Sequence, residues 1–486
     1  MFPKNFKIGF SEAGFQFEMG ISHPDTHSNW YLWANDPLNK EKGYVSGDNP
    51  ADGVGYWDKY TQDHDYAQYM GMNAARIGLE WSRIFPESTE KVNVNVKKDD
   101  KSIVSVIIDS EAMKQLEELS DKYNVSHYMD IFKDLKKREF YNIINLYHWT
   151  VPDWISNPTL VDRTKDSWAI GGDFNERQTI EFAKYAAFTA KTFDHLADRW
   201  ATMNEPNMVF LNCSTDSSRG ALASRKRNFA QAHARAYDAL KQYSKKDVGL
   251  IYANGDFQPL VEKDLELKEM AEYQIRYSFI DSIVKGDMSW YNSDIKGDSR
   301  FESDKKFRTD MDKHLDWIGV NYYSRDVIER DNNEQGWRIV QGYGHATGEG
   351  VKSKDGRSTS DTGWEIYPEG VYNVIMSYHN RYHMPMMITE NGMADAIDIN
   401  RPKYIVSHLS FIEKAIEDGA NVDGYLHWAL TDNFEWGNGF SKRFGLIGVN
   451  LETKERELRP SALVMKEIIS KKGVPSDMKW INKMKI

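Results

Sequence analysis

Short apolar runs alternate along the chain with longer stretches of helical period, and the pairing recurs. Runs that read as strands are Lys7–Gly14, Asn73–Trp81, Tyr141–Trp149, Ala197–Glu205, Val248–Asn254, Leu315–Tyr323, Met384–Asn391 and Asp423–Asp432. Between them lie segments with apolar positions three and four residues apart. Arg177–Leu196 puts Phe182, Tyr185, Ala186, Thr189 and Phe193 on one face, and Phe229–Leu240 and Tyr404–Ile416 repeat the pattern. Pro460 suits the first turn of a closing helix over Ser461–Ser470. Eight strand–helix units with no ninth predict an α/β fold, a closed parallel (β/α)8 TIM barrel rather than an open doubly wound sheet. No Gly-x-Gly-x-x-Gly follows the first strand, which removes the main reason to expect a dinucleotide-binding domain.

Two stretches exceed a minimal barrel. Glu87–Asn124 is charge-rich, with an alternating run at Ser102–Ile108 that suits a hairpin strand. Arg325–Trp364 is studded with glycines. Both follow strand ends, so both are expected as elaborated βα loops on the catalytic face. No Pro/Gly/Ser-rich linker divides the chain, so residues 1–486 are expected to form a single catalytic domain.

Composition narrows the function. With 40% hydrophobic and 28% charged residues, the chain can bury a large core. A net charge of −11 argues against nucleic acid or an anionic membrane as the main partner. The single cysteine, Cys213, rules out an intrachain disulfide and fits a reducing compartment. The N-terminus lacks the apolar core of a secretory signal, and no 18-residue apolar stretch occurs, so a cytoplasmic protein is expected. Aromatic residues reach 13%, which fits either a large aromatic core or a pocket lined with flat rings that suit sugars.

The strand ends decide between these. In such a barrel, chemistry sits at the C-terminal ends of the strands. Strand four ends Thr202-Met-Asn204-Glu205-Pro206 and strand seven Ile388-Thr-Glu390-Asn391-Gly392. Strand three ends Tyr147-His148-Trp149, strand two carries Arg76, and strand eight leads through Trp428 to Glu435-Trp436. One carboxylate at a strand end serves readily as an ion-pair partner or helix cap. Two, each beside an asparagine and facing each other across the ring, match what glycoside hydrolysis needs: two carboxyls flanking one bond.

The segments Trp200-Ala-Thr-Met-Asn204-Glu205-Pro206 and Ile388-Thr-Glu390-Asn391-Gly392 resemble the two signatures of family 1 glycoside hydrolases. The resemblance extends through Phe10–Gln16, Ala75–Pro86, Leu315–Tyr323 and His427–Gly445, covering essentially the whole chain. Gln231–Tyr237 and Gly342–His345 resemble the archaeal β-glycosidase branch. It implies a retaining β-glycosidase acting on non-phosphorylated β-glucosides and β-galactosides. Glu390 matches the nucleophile and Glu205 the acid/base. Arg76 and Tyr323 match supports of the nucleophile, and Asn204 the residue that bonds the sugar 2-hydroxyl. Gln16, His148, Trp149, Glu435 and Trp436 match the hydroxyl-binding set, Trp428 the aromatic platform. A cis peptide is implied between Trp428 and Ala429, and relatives of this branch imply a homo-oligomer, dimer or tetramer.

Neither cofactor nor metal is expected. Pro24 between His23 and His27 breaks any helical ligand face, and no His-Glu-x-x-His occurs. Asn124-Val-Ser126 and Asn212-Cys-Ser214 fit the glycosylation pattern but are expected to be inert without a secretory route. The polar stretch Met208–Arg227 is shorter than this branch leads one to expect, which leaves the aglycone side open. Two alternatives remain. A 6-phospho-β-glycosidase would lack the acid at Glu435 and present Ser, Lys and Tyr to the phosphate; position 444 is Phe, although Lys442 is near. A catalytically inactive sugar-binding protein on the same barrel would need a lost carboxylate.

Overall fold

The computed structural model describes residues 1–99, 102–160, 174–212, 219–294 and 306–478. Eight strands build its centre: β1 (Lys7–Glu12), β2 (Ala74–Gly78), β3 (Tyr141–Asn145), β4 (Arg199–Asn204), β5 (Val248–Pro259), β6 (Trp317–Arg330), β7 (Met386–Asn391) and β8 (Val422–His427). All pair in parallel with their sequence neighbours, and β8 returns onto β1, so the sheet closes into a barrel. Strands covered on both faces read as continuous apolar runs, which is why the sequence displays them so plainly. Every residue of β2, β4 and β7 is buried.

Side chains fill the barrel floor. Ala74, Ile143, Ala201, Ile251, Trp317, Met387 and Leu426, one from each of β2 to β8, form an interior cluster. Large residues demand small neighbours in such a layer. Thus a methyl group on Gly249 would lie 2.2 Å from the Trp317 indole. With the floor plugged, only the other mouth of the barrel can open to a ligand.

The expected helices are present with shifted ends: Glu176–Phe193, Arg219–Tyr243, Arg401–Glu417 and Pro460–Ser470. The first buries Phe182, Tyr185, Ala186, Thr189 and Phe193, as its periodicity predicts. The second begins well before the predicted Phe229. Its first turns bury Arg225, Lys226 and Arg227 through polar contacts such as Lys226 Nζ to Ser278 Oγ, so they carry no apolar period. The strand ends need correction as well. β1, β2, β3 and β8 stop short of their predicted C-terminal ends, because the turns above the barrel are buried too and prolong the apolar run. Gly14–Phe17 and Trp81–Ile84 are helical turns. Conversely, β5 and β6 outrun the predicted Asn254 and Tyr323, pairing as far as Pro259 with Ile328. Trp337–Ile339 adds an antiparallel strand to β6, so the start of the predicted Arg325–Trp364 loop is a ribbon whose polar residues masked it.

The other predicted insertion contains the hairpin of Asn95–Asp99 with Ser102–Ile107, followed by the helix Ser110–Leu119. In the glycine-rich segment the fully buried Glu365 carboxylate is the hub. It accepts from Arg325 Nε and Nη2 at 2.9 Å, Gly344 N at 2.7 Å and Ser353 Oγ at 2.9 Å. Asn124 lies in the helix Lys122–Lys137 and donates to the Arg83 carbonyl, while Cys213, Ser214 and part of Met208–Arg227 fall outside the described residues. No described helix is long and apolar enough to cross a membrane.

The floor layer yields a prediction. Leu426→Ala should lower unfolding stability by about 2–5 kcal/mol, because a buried cavity would open inside a closed ring that relaxes poorly. Denaturant titration followed by tryptophan fluorescence measures it, and a loss below about 1 kcal/mol would contradict this packing.

Candidate active site

The two strands that carry or lead into the glutamates are irregular near their C-terminal ends. β4 shifts register against β5 between Ala201 and Asn204, and β7 against β6 between Ile388 and Glu390. Shifts of this kind re-aim side chains while the ladder continues. Glu205 then takes a left-handed φ of +48° before Pro206 opens the helix Pro206–Asn212. Its N–H stays bonded to the Ile251 carbonyl at 2.8 Å. Non-glycine residues in this conformation cost about 1–3 kcal/mol and persist where surroundings over-determine them.

Arg76, on β2 and fully buried, links both ends. Its Nη2 donates to Glu390 Oε1 at 2.7 Å and its Nη1 to Asn204 Oδ1 at 2.7 Å. Tyr323 Oη donates to the other oxygen of Glu390, also at 2.7 Å. Glu205 is held differently: Asn321 Nδ2 donates to its Oε1 at 2.8 Å and to Asn204 Oδ1 at 3.0 Å. Asn321 is in turn fixed by Thr389 Oγ1, which donates to its Oδ1 at 2.8 Å. The sequence reading missed Asn321 as an individual; its polar side chain inside the otherwise apolar run of β6 was the available signal.

These contacts make the two carboxyls unequal. Burial, then the negative charge of Glu390, pushes Glu205 up to about 8. Burial also pushes Glu390 up, but Arg76 and the Tyr323 hydroxyl pull it back. Arg76 bonds Glu390 directly and reaches Glu205 only through space, so the contacts favour the negative charge on Glu390 over Glu205. His148 lies 3.0 Å from Asn204 Nδ2, and burial together with Arg76 holds its ring well below its ordinary range and therefore neutral.

An aromatic wall completes the mouth. Trp149 donates its indole N–H to the Asn204 carbonyl and lies 4.8 Å from the Trp436 ring. Trp428 is 5.7 Å from the His148 ring, with the Arg76 guanidinium 6.0 Å from its centroid, and the Trp428–Ala429 peptide is cis as the resemblance implied. Gln16 Nε2 donates to Phe434 O at 3.0 Å, Asn433 Oδ1 at 3.2 Å and Glu435 Oε2 at 3.4 Å. Its own Oε1 is buried with no partner among the described residues. Burial and the charge of Glu390 push Glu435 up to about 8. Hydrogen bonds and ring contacts thus bring all eleven predicted site residues together in one cluster. His23 and His27 lie apart from it, His23 stacked on Tyr123 and His27 beside Asp153.

The sequence profile of glycosyl hydrolase family 1 matches residues 1–98 and 117–474. The chain belongs to this family. It is 44% identical to a beta-galactosidase of Saccharolobus solfataricus over 99% of this chain and 97% of that protein. The beta-glycosidase of the hyperthermophile Thermosphaera aggregans is 42% identical, covers 99% of both chains and superposes with a TM-score of 0.90. A beta-glucosidase mutant derived from a hyperthermophilic tetrameric structure gives 41% identity, 99% and 98% coverage and a TM-score of 0.88. The family 1 chain is thus a glycoside hydrolase.

Within this family 1 enzyme the glycine-rich segment borders the site. Trp364 packs 5.3 Å from the Tyr323 ring. Lys442 is turned to the same segment: its Nζ donates to the Asp361 carbonyl at 2.8 Å and pairs with Glu349 at 2.7 Å.

Proposed function

We propose that the enzyme hydrolyses non-phosphorylated β-D-glucosides and β-D-galactosides with retention, Glu390 acting as nucleophile and Glu205 as acid/base. The observation that carries this reading is the unequal pair: one carboxyl bonded to Arg76 and Tyr323, the other held by Asn321 without a bonded cation and pushed up to about 8. In the first step a Glu390 oxygen attacks the anomeric carbon, the glycosidic C–O bond breaks, and the Glu205 proton passes to the leaving oxygen. The negative charge of Glu390 vanishes in the glycosyl ester. Glu205 then loses the charge that raised it, takes a proton from water, and the resulting hydroxide attack frees Glu390.

Asn204 is assigned to the 2-hydroxyl, where a bond that strengthens in the transition state contributes most. Gln16, His148, Trp149, Glu435 and Trp436 are assigned to the remaining hydroxyls and Trp428 to the apolar sugar face. Glu435 favours a neutral sugar, since its carboxyl bonds adjacent hydroxyls, offers a phosphate no cation, and repels it in whatever fraction is ionised. The engagement of Lys442 with Glu349 and Asp361 supports the same choice over a 6-phosphoglycoside. The names of the beta-galactosidase and beta-glycosidase relatives agree with the substrate class. We further infer one catalytic domain over residues 1–486, a cytoplasmic setting consistent with the single cysteine, and a homo-oligomer. The tetrameric parent of one relative supports the last, and a monomeric mass by light scattering would exclude it.

Glu205→Ala should reduce glycosylation by cellobiose or lactose about 10²–10⁴-fold, because their leaving alcohols need the proton. Turnover onto the nucleophile from a dinitrophenyl glycoside, whose leaving group departs unaided, should survive. The wild-type kcat/KM should fall as pH rises through about 8, where Glu205 loses the proton it must donate, and this limb should vanish in the variant. Equal losses on both substrates would assign Glu205 a structural role only.

Selectivity should follow Glu435. The wild type should prefer a galactoside over its 6-phosphate, and Glu435→Ser should narrow or reverse the ratio of kcat/KM values. An unchanged ratio would show that selectivity resides elsewhere.

A further inference from the structure

Glu80 stands just beyond β2, 1% exposed, and has no part in the chemistry above. Each of its oxygens is taken by a different wall of the pocket. Oε1 accepts from the Phe15 N–H at 2.8 Å and Oε2 from the Thr150 hydroxyl at 2.5 Å. Phe15 precedes Gln16 in the turn after β1 and stacks on Trp436 with centroids 5.9 Å apart. Thr150 follows His148 and Trp149, and Trp149 holds a left-handed φ of +82° that a tryptophan rarely adopts.

The approach is close. A methyl group on Gly14 would lie 2.6 Å from Glu80 Cγ and 2.7 Å from Oε1, so the turn carrying Gln16 rests directly on this carboxyl. Glu80 itself is anchored from behind: its N–H donates to Tyr128 Oη at 3.1 Å, and that hydroxyl donates to Glu18 Oε1 at 2.7 Å. Arg83 completes the frame at 2.6 Å from Glu18 Oε2.

We propose that Glu80 is a positioning residue whose carboxyl clamps the Gln16 turn to the His148–Trp149 turn and so sets the spacing of the groups that grip the sugar hydroxyls. This rests on the reading of Gln16, His148 and Trp149 as sugar contacts. A clamp of this kind explains why a polar side chain is kept in a dry site: its two ends bond groups that belong to separate segments. Burial, with the charges of Glu18 and Asp25, pushes Glu80 up to about 8. At pH 6 it is therefore neutral, and glutamine is a close substitute that keeps one acceptor for Phe15 and offers an N–H to the Thr150 oxygen.

The test is a coupling experiment at pH 6 with 4-nitrophenyl β-glucoside, on variants shown by circular dichroism to be folded. Glu80→Ala should lower kcat/KM by about 10²-fold with KM raised, as misplacement of binding groups does. Glu80→Gln should restore it to within about twofold of wild type. Gln16→Ala should be costly in the wild type yet cost about twofold or less in the Glu80→Ala background, because the group it removes is already displaced. If Gln16→Ala keeps its full cost in that background, or Glu80→Ala retains wild-type kcat/KM, Glu80 does not position Gln16. Gln16→Ala without effect in the wild type would instead remove the sugar-contact reading, and the clamp with it. Should Glu80→Ala fail to fold, Thr150→Val removes one arm alone; a rise in KM supports the clamp and wild-type kinetics overturn it.

Discussion

Arg76 brings one positive charge to a site in which Glu205 and Glu390 are buried and Glu435 is partly buried, and the site's chemistry depends on how that charge is shared. Two carboxylates at the roughly 5 Å that retention requires, at an effective dielectric of about 20, repel by about 3 kcal/mol, or roughly two pKa units. A single cation cannot relieve all three groups equally. It is bonded to Glu390, which also receives the Tyr323 hydroxyl, and the proton falls to Glu205. On the proposed reading, erasing the Glu390 charge in a covalent intermediate reverses the preference, so that one arrangement supports both an acid and a base.

That arrangement requires side chains from β2, β4, β6 and β7 to meet in one place. The closed barrel brings the strands together, and local irregularity finishes the work. Register shifts turn the ends of β4 and β7, and Glu205, Trp149 and Trp436 take left-handed conformations. Such conformations need support from behind, which Asn321 gives to Glu205 and the clamp through Glu80 gives to the walls. The same economy operates on the far rim, where Glu365 gathers four donors and holds the segment that carries Trp364 against Tyr323. The walls of the site are thus braced by two buried acids, Glu80 and Glu365, that the proposed reaction does not use.

Much of this was legible in the sequence because burial writes itself as apolar runs. The eight strands and the paired Asn-Glu and Glu-Asn ends stood out, and the pocket gathers every residue named from them. What stayed hidden had polar residues in buried places or apolar residues in turns. The upper part of β6, as far as Arg330, stayed hidden because the buried Ser324 and Arg325 and the partly buried Asp326 and Glu329 interrupt its apolar run, and the helix starting at Arg219 buries its cations through partners that no periodicity reveals. Asn321 and Glu80 escaped for the same reason: each matters through distant partners, at separations of 116 residues for Asn321 to Glu205 and 65 for Phe15 to Glu80.

Neutron diffraction from deuterium-exchanged crystals at pH 6 locates the shared proton directly. Nuclear density for a deuteron on a Glu205 oxygen, with both oxygens of Glu390 bare and facing the deuterated Arg76 and Tyr323 donors, is the predicted result. A deuteron on Glu390 beside an ionised Glu205 would contradict the charge distribution on which the whole account rests.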